Sequence, residues 1–381
     1  MAILSLILLL AALFAAQNLL YAAFWDASLA LRLSFSAARA FEGEKLALTE
    51  ELTNAKPLPL PWVNAKFQVS RNLVFRGGAN NSVSDFYYQN DIFSVGMYER
   101  VTRRHEFICR RRGYYRIRSM DIGSSNILVT RKFVKREPCG AELVVYPRLV
   151  SRPEIDAVFK RICGDVETRR FASPDPFAFR GIREYAPGDD FRLINFKATA
   201  QAGALMSNVH GAATSVEVLI LLNVEPYRFM PDEGVLEEGI RVAASIAGHF
   251  SELGLPVGLV SNGRDAVTKA PLRVLPGGGY AHFCGVLEQL ARVDLAAGQQ
   301  KMSEILDQTG DPEPVYVLVS SNDDDATASA YERLRGRGLS VSWIIPALAR
   351  AKLTADGLEG ALRWEVKPDN APPESLWRGL A

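Results

Sequence analysis

The 381-residue sequence has only four cysteines, Cys109, Cys139, Cys163 and Cys284, and none has a close partner in sequence. That spacing argues against a disulfide framework or a cysteine-based zinc site, and four free thiols are expected. An excess of charge is also missing: 44 Lys and Arg stand against 43 Asp and Glu, a formal net charge of +1. Such a balance gives no global electrostatic case for nucleic-acid binding. The four histidines, His105, His210, His249 and His282, are scattered, with no pair four residues apart on a helix to hold a metal. No Ser or Cys sits in a nucleophile elbow, and no Ser-His-Asp order stands out. The glycine run Gly277–Gly279 lacks the Lys-Ser/Thr of a phosphate-binding loop and reads as a turn after a short strand at Leu272–Leu275. No catalytic residue, metal ligand or cofactor is expected. The 48% hydrophobic content excludes a disordered chain.

The chain does have a charge-free apolar run at Ala2–Phe24, interrupted only by Gln17 and Asn18 among its later residues. About 20 such residues suffice to cross a bilayer core. A cleaved signal peptide would want a basic region ahead of the run, and none is present. A buried core helix would not be apolar all round. The reading is a retained single-pass anchor within residues 1–30. Arg32, Arg39 and Lys45 follow it, so the positive-inside rule puts the C-terminal bulk in the cytoplasm.

From Leu31 to Pro147 the period is two. Leu31, Leu33 and Phe35 alternate with Arg32, Ser34 and Ser36, and Val63, Ala65, Phe67 and Val69 alternate with Asn64, Lys66, Gln68 and Ser70. This is the pattern of half-buried strands, and residues 31–147 are expected as an all-β, sandwich-like domain. Eight arginines lie within Arg100–Arg118. One reading is an anionic-surface site centred on Arg110, Arg111 and Arg112, for lipid headgroups beside the anchor before nucleic acid. The other is the solvated face of two strands that turn Phe107, Cys109, Tyr115 and Ile117 inward.

Residues 148–173 read as a linker, and Pro174–Ala200 follows as a polar, repeat-free stretch. Pro187-Gly188-Asp189-Asp190 reads as a turn ending in a helix cap, with a helix over Phe191–Ala200 carrying Phe191, Ile194 and Ala198 on one face. Beyond it, strand-like and helix-like segments alternate. The strands are Val216–Asn223, Val257–Ser261, Val315–Ser320 and Leu339–Ile345; the helices are Gly234–Leu253, Ala281–Val293 and Ala326–Arg337. This is what an open parallel sheet with helices on both faces looks like.

The string running from Gly181 to Ala200, G-x-R-E-Y-x-P-G-D-D-x-R-x-I-x-F-K-A-T-A, resembles the signature of the domain-of-unknown-function 58 (DUF58) family. The resemblance implies a membrane-anchored protein with a von Willebrand factor type A-like, Rossmann-like α/β domain over 148–381. It implies no known activity. Type A domains usually hold Mg²⁺ at the top of the sheet. Here Asn223 stands where the first Asp is expected, Val224, Glu225, Pro226 and Tyr227 supply no Ser pair, and Pro276–Tyr280 has no Thr. The acids of Ser320–Asp325 read as a helix N-cap cluster, leaving too few oxygens for a hard cation.

Similar proteins are commonly encoded beside MoxR-type AAA+ ATPases. The resulting expectation is a non-catalytic, membrane-anchored adaptor or scaffold that assists such an ATPase in assembling envelope complexes, with no nucleic acid as partner. Arg183, Glu184, Tyr185, Gly188, Asp189, Asp190, Arg192 and Lys197 are its candidate residues, either as a docking face or as an internal network pinning the loop to the sheet. The alternatives are an anionic-surface module using the arginine cluster and a hydrolase using Asp189 and Asp190.

Overall fold

A computed structural model of the chain describes residues 2–76, 86–172, 174–186, 191–212, 216–226, 233–296, 300–349, 351–355 and 357–367. Two compact units divide between Arg148 and Leu149.

The first unit opens with helix α1, Ala2–Phe24. It has neither Gly nor Pro and is rich in Ala and Leu, the strongest helix formers. It is long and apolar enough to cross a membrane. Its last turns meet the strands that follow: Tyr21 is buried and its hydroxyl donates to Pro59 O at 2.7 Å. Asn126 Nδ2 donates to Asn18 Oδ1 at 2.6 Å, so one of the two polar interruptions serves a contact with the β-structure.

Nine strands follow: β1 Leu29–Phe35, β2 Arg39–Phe41, β3 Lys45–Asn54, β4 Leu60–Ser70, β5 Leu73–Phe75, β6 Phe86–Val95, β7 Arg100–Cys109, β8 Gly113–Ser125 and β9 Lys132–Tyr146. They form a four-stranded sheet, β1-β3-β7-β5, and a five-stranded sheet, β2-β9-β8-β4-β6. The alternation predicted from sequence is observed: Leu31, Leu33, Val63, Ala65, Phe67 and Val69 are buried in one core with Leu48, Leu52, Phe107, Ile117 and Val145. Each fully buried aliphatic side chain contributes roughly 1.5–3 kcal/mol relative to exposure. Tyr115 Oη donates back to Arg111 O at 2.7 Å and Arg112 O at 3.2 Å, like the tyrosine corner of sandwich domains. Gly113 fits beneath that ring, since a Cβ there would lie 3.1 Å from Tyr115 Cζ.

The second unit starts with a correction. The linker expected over residues 148–173 is in its described part mostly helix: α2 spans Arg152–Ala172. Ile155, Val158, Phe159 and Ile162 are buried at spacings of three and four, and Ser151 Oγ donates to Glu154 Oε2 at 2.8 Å ahead of the helix. The stripe and the Ser-x-x-Glu start were both present in the sequence. Next come β10 Pro174–Glu184, a single 3₁₀ turn at Phe191–Leu193, α3 Phe196–Ala202 and β11 Met206–Ala212.

The main sheet comprises β12 Val218–Leu222, β13 Val257–Asp265, β14 Pro271–Gly277, β15 Val293–Asp294, β16 Val315–Val319, β17 Val341–Leu348 and β18 Ala361–Val366. Helices α4 Glu233–Glu252, α5 Tyr280–Ala291, α6 Met302–Gln308 and α7 Asp325–Gly336 are interspersed. The order is β14-β13-β12-β16-β17-β18, with β15 paired to β13. By order of appearance its six main strands run 3-2-1-4-5-6. The five from β13 to β18 in that order are parallel, but β14 and β15 pair antiparallel with β13. The sheet is therefore mixed, which corrects the all-parallel expectation. One face packs Leu221, Tyr316, Leu318, Trp343 and Ile345 under α6 and α7. On the other, a Cβ at Gly239 of α4 would lie 3.4 Å from Pro346 Cγ.

Candidate docking surface in the signature region

Strands β10 and β11 pair antiparallel, with Gly181, Ile182, Arg183 and Glu184 opposite Val209, Asn208, Ser207 and Met206. Tyr185 N extends the ladder to Leu205 O at 2.8 Å. Ile194 bridges to Ser207, and Asn195 N donates to Met206 O at 2.8 Å. The Asn195 side chain does two further things. Its Oδ1 accepts from Ala198 N at 2.9 Å, capping α3, and its Nδ2 donates to Asn208 Oδ1 at 2.7 Å. Thr199 Oγ1 accepts from Met206 N at 3.0 Å, and Gly203 closes the helix at φ 69°.

The cap is thus Asn195, and the helix expected over Phe191–Ala200 is corrected to a 3₁₀ turn followed by α3. Gly188, Asp189 and Asp190, with the expected turn, lie outside the described residues. Arg192 is in the 3₁₀ turn, and its side chain is likewise outside them.

Hydrogen bonds hold α3 in place, since that helix buries none of its residues. Several large apolar side chains around it face outward. Phe191 is 72% exposed and Phe196 77%, and Ile182 and Leu205 are exposed as well. The Tyr185 ring packs 5.6 Å from that of Phe191. Arg183, Glu184 and Lys197 are exposed beside them, and Arg183 Nη1 donates to Glu184 O at 3.2 Å.

The arginine cluster is more divided than its sequence suggests. Phe107, Cys109, Tyr115 and Ile117 do point inward. Arg100 pairs with Glu51 at 3.6 Å, Arg103 with Asp91 at 2.6 Å and Arg116 with Glu142 at 3.3 Å. Arg110 and Arg111 are half-buried, and Arg112 is buried, which removes it from an open anionic surface.

At the carboxyl ends of the parallel strands, neutral side chains bond one another. Asn223 Nδ2 donates to Ser320 Oγ at 2.9 Å, and Asn223 Oδ1 accepts from Asn262 Nδ2 at 2.7 Å and Glu225 N at 2.9 Å. Ser320 Oγ in turn donates to Asn322 O at 2.7 Å. Asp324 caps α7 through Thr327 N at 2.8 Å, as the sequence predicts. Asp323 Oδ2 accepts from the amides of Thr354 and Ala355.

One charged cluster was missed. His105 on β7 meets Glu50 on β3 and Asp91 on β6. The two carboxylates hold the imidazole pKa up to about 9, against its burial. Burial pushes the Asp91 carboxyl up, but its bonds from His105, Gln89 and Arg103 outweigh it and hold the pKa down at about 2. Burial raises that of Glu50. Spacing along the chain shows only scattered histidines and gave no sign of a set assembled across three strands.

Residues 181–339 match the family described as "Protein of unknown function DUF58", which supports the DUF58 family for this chain. No curated protein matches the sequence. Among solved structures, an alkylpurine DNA glycosylase AlkC from Pseudomonas fluorescens is 17% identical, covering 31% of this chain and 30% of that one, with a TM-score of 0.20. A CARDB domain from Pyrococcus furiosus is 11% identical over 31% of this chain and 93% of its own, with a TM-score of 0.21. A non-cellulosomal cohesin from Archaeoglobus fulgidus is 13% identical over 33% and 96%, with a TM-score of 0.23.

Proposed function

We propose that the protein is a membrane-anchored, non-catalytic adaptor whose second unit docks a protein partner through the signature region. The observation that carries this reading is the outward presentation of Phe191 and Phe196 beside exposed Arg183, Glu184 and Lys197. Aromatic and arginine side chains are the groups that most often anchor protein interfaces. A purely internal network would bury the charges, so exposure favours docking for Arg183, Glu184 and Lys197. The 3-2-1-4-5-6 order with its antiparallel edge strand supports a type A-like, Rossmann-related domain. In such sheets ligands sit where the order reverses, here between β12 and β16. The Ser320–Asn223–Asn262 bonds fill that place with neutral groups.

The partner proposed by family resemblance is a MoxR-type AAA+ ATPase, with α1 as a single-pass anchor and the second unit in the cytoplasm. Affinity capture from native membranes, with and without nucleotide, tests it. Phe196→Ser should fold with an unchanged melting temperature and lose the ATPase. Undiminished capture by Phe196→Ser and Phe191→Ser together would refute the docking face.

A further inference from the structure

Glu50, Asp91 and His105 come from three strands in two different sheets, β3 and β7 in one and β6 in the other. Their ligand atoms lie within 4.8 Å of one another. His105 Nε2 is 3.2 Å from Glu50 Oε2 and 3.3 Å from Asp91 Oδ2. A tetrahedral zinc ion with bonds of about 2.0–2.1 Å has ligand-to-ligand edges of about 3.3 Å. We propose that Glu50, Asp91 and His105 form a binding site for a zinc-class divalent cation that ties the two sheets of the first unit together.

Two further features fit a metal better than a plain ion-pair cluster. The Glu50 side chain is 0% exposed, yet its Oε1 has no hydrogen-bond partner among the described residues. A buried carboxylate oxygen without a partner is costly, and a dication bound to that carboxylate would relieve it. The groups around the three ligands are also held in place. Asp91 accepts from Arg103 Nη1 at 2.6 Å through Oδ1 and from Gln89 Nε2 at 3.0 Å through Oδ2. The Phe75 ring lies edge-on to the imidazole at 6.5 Å. Outer groups of this kind orient metal ligands. Asp91 Oδ1 is committed to Arg103, while Oδ2, which accepts one bond from Gln89, keeps a second lone pair beside His105 for the cation. Three protein ligands leave a fourth position for water. A nitrogen and two carboxylates suit zinc or its spectroscopic substitute cobalt, whereas Mg²⁺ would want oxygens in an octahedron. This site is independent of the docking reading and of the strand ends of the second unit.

The test uses the full chain in detergent, stripped with EDTA and dialysed, then titrated with Co²⁺ alone. One equivalent should bind, give the visible bands of tetrahedral cobalt and be displaced by Zn²⁺. Asp91→Asn and His105→Gln should each weaken binding about 100-fold or more, while His249→Gln and His282→Gln leave it unchanged. X-ray absorption of the zinc-loaded wild type should show only nitrogen and oxygen neighbours. That measurement does not depend on any variant folding. Absence of stoichiometric binding, sulfur in the metal's shell, or binding that survives in folded His105→Gln would overturn the proposal.

Discussion

Lys56 Nζ donates to Trp25 O at 2.7 Å, directly after the apolar helix, and to Ala27 O at the same distance. The end of a helix leaves carbonyls without partners, and a cation there also meets the negative end of the helix dipole. Lys56 supplies both needs, and Trp25 stacks on Phe133 at 5.6 Å beside it. Lys56→Met should therefore leave two carbonyls unsatisfied and cost about 1–3 kcal/mol of stability. Denaturant melts of the full chain in detergent, compared with wild type, measure it.

The same lysine gives a pH dependence of unusual sign. Burial lowers its pKa to about 8, with Asp26 acting in the opposite direction. Below that pH both folded and unfolded states are protonated, and the cost of burying the charge is fully present. Between about 8 and the ordinary lysine value the unfolded state binds the extra proton, so stability rises with pH at this site. The gap in stability between wild type and Lys56→Met should widen in favour of wild type from pH 7.5 to 10. A gap that narrows across that window would contradict this account.

Asn223 offers a test at the strand ends. As Asn it donates to Ser320 Oγ while accepting from Asn262 and Glu225 N. Asn223→Asp removes the donor and sets a buried carboxylate against a hydroxyl that already donates to Asn322 O. The expected cost is about 1–3 kcal/mol. Millimolar Mg²⁺ should not restore the melting temperature of the variant, because one added carboxylate does not complete a hard-cation shell. A rise in melting temperature reversed by EDTA would show that the strand ends can hold the ion after all.

Period two made the buried residues of β1 and β4 legible in the sequence, and apolar strand runs placed β12, β13, β16 and β17. Helix α2 was equally legible through Ile155, Val158, Phe159 and Ile162, but its charged neighbours masked the stripe. The antiparallel direction of β14 was not legible, since a short apolar run carries no sign of its orientation. At the signature, Asp189 and Asp190 drew the helix cap toward the turn. Asn195 caps α3 and bonds Asn208 at once, an arrangement that depends on the β10–β11 register. The Glu50–Asp91–His105 set depends on pairing across two sheets, and no local pattern encodes it.

Asn195→Ala separates local from global roles in the signature. The side chain caps α3, which has no buried residue to hold it and is otherwise tied to β11 by the Thr199 Oγ1 bond from Met206 N. Losing the cap and the Asn208 bond should lower global stability by only about 0.5–2 kcal/mol. Locally the helix should open far more often, since segments without buried contacts unfold ahead of the domain. Hydrogen exchange at Ala198–Ala202 should accelerate while amides of β12 and β16 keep their protection. If Phe196 presents itself to a partner from α3, capture should weaken in proportion to that opening although the sheet stays folded. Exchange that remains slow in α3 would show that the helix is held by something other than Asn195, and capture that persists despite fast exchange would take Phe196 out of the docking face.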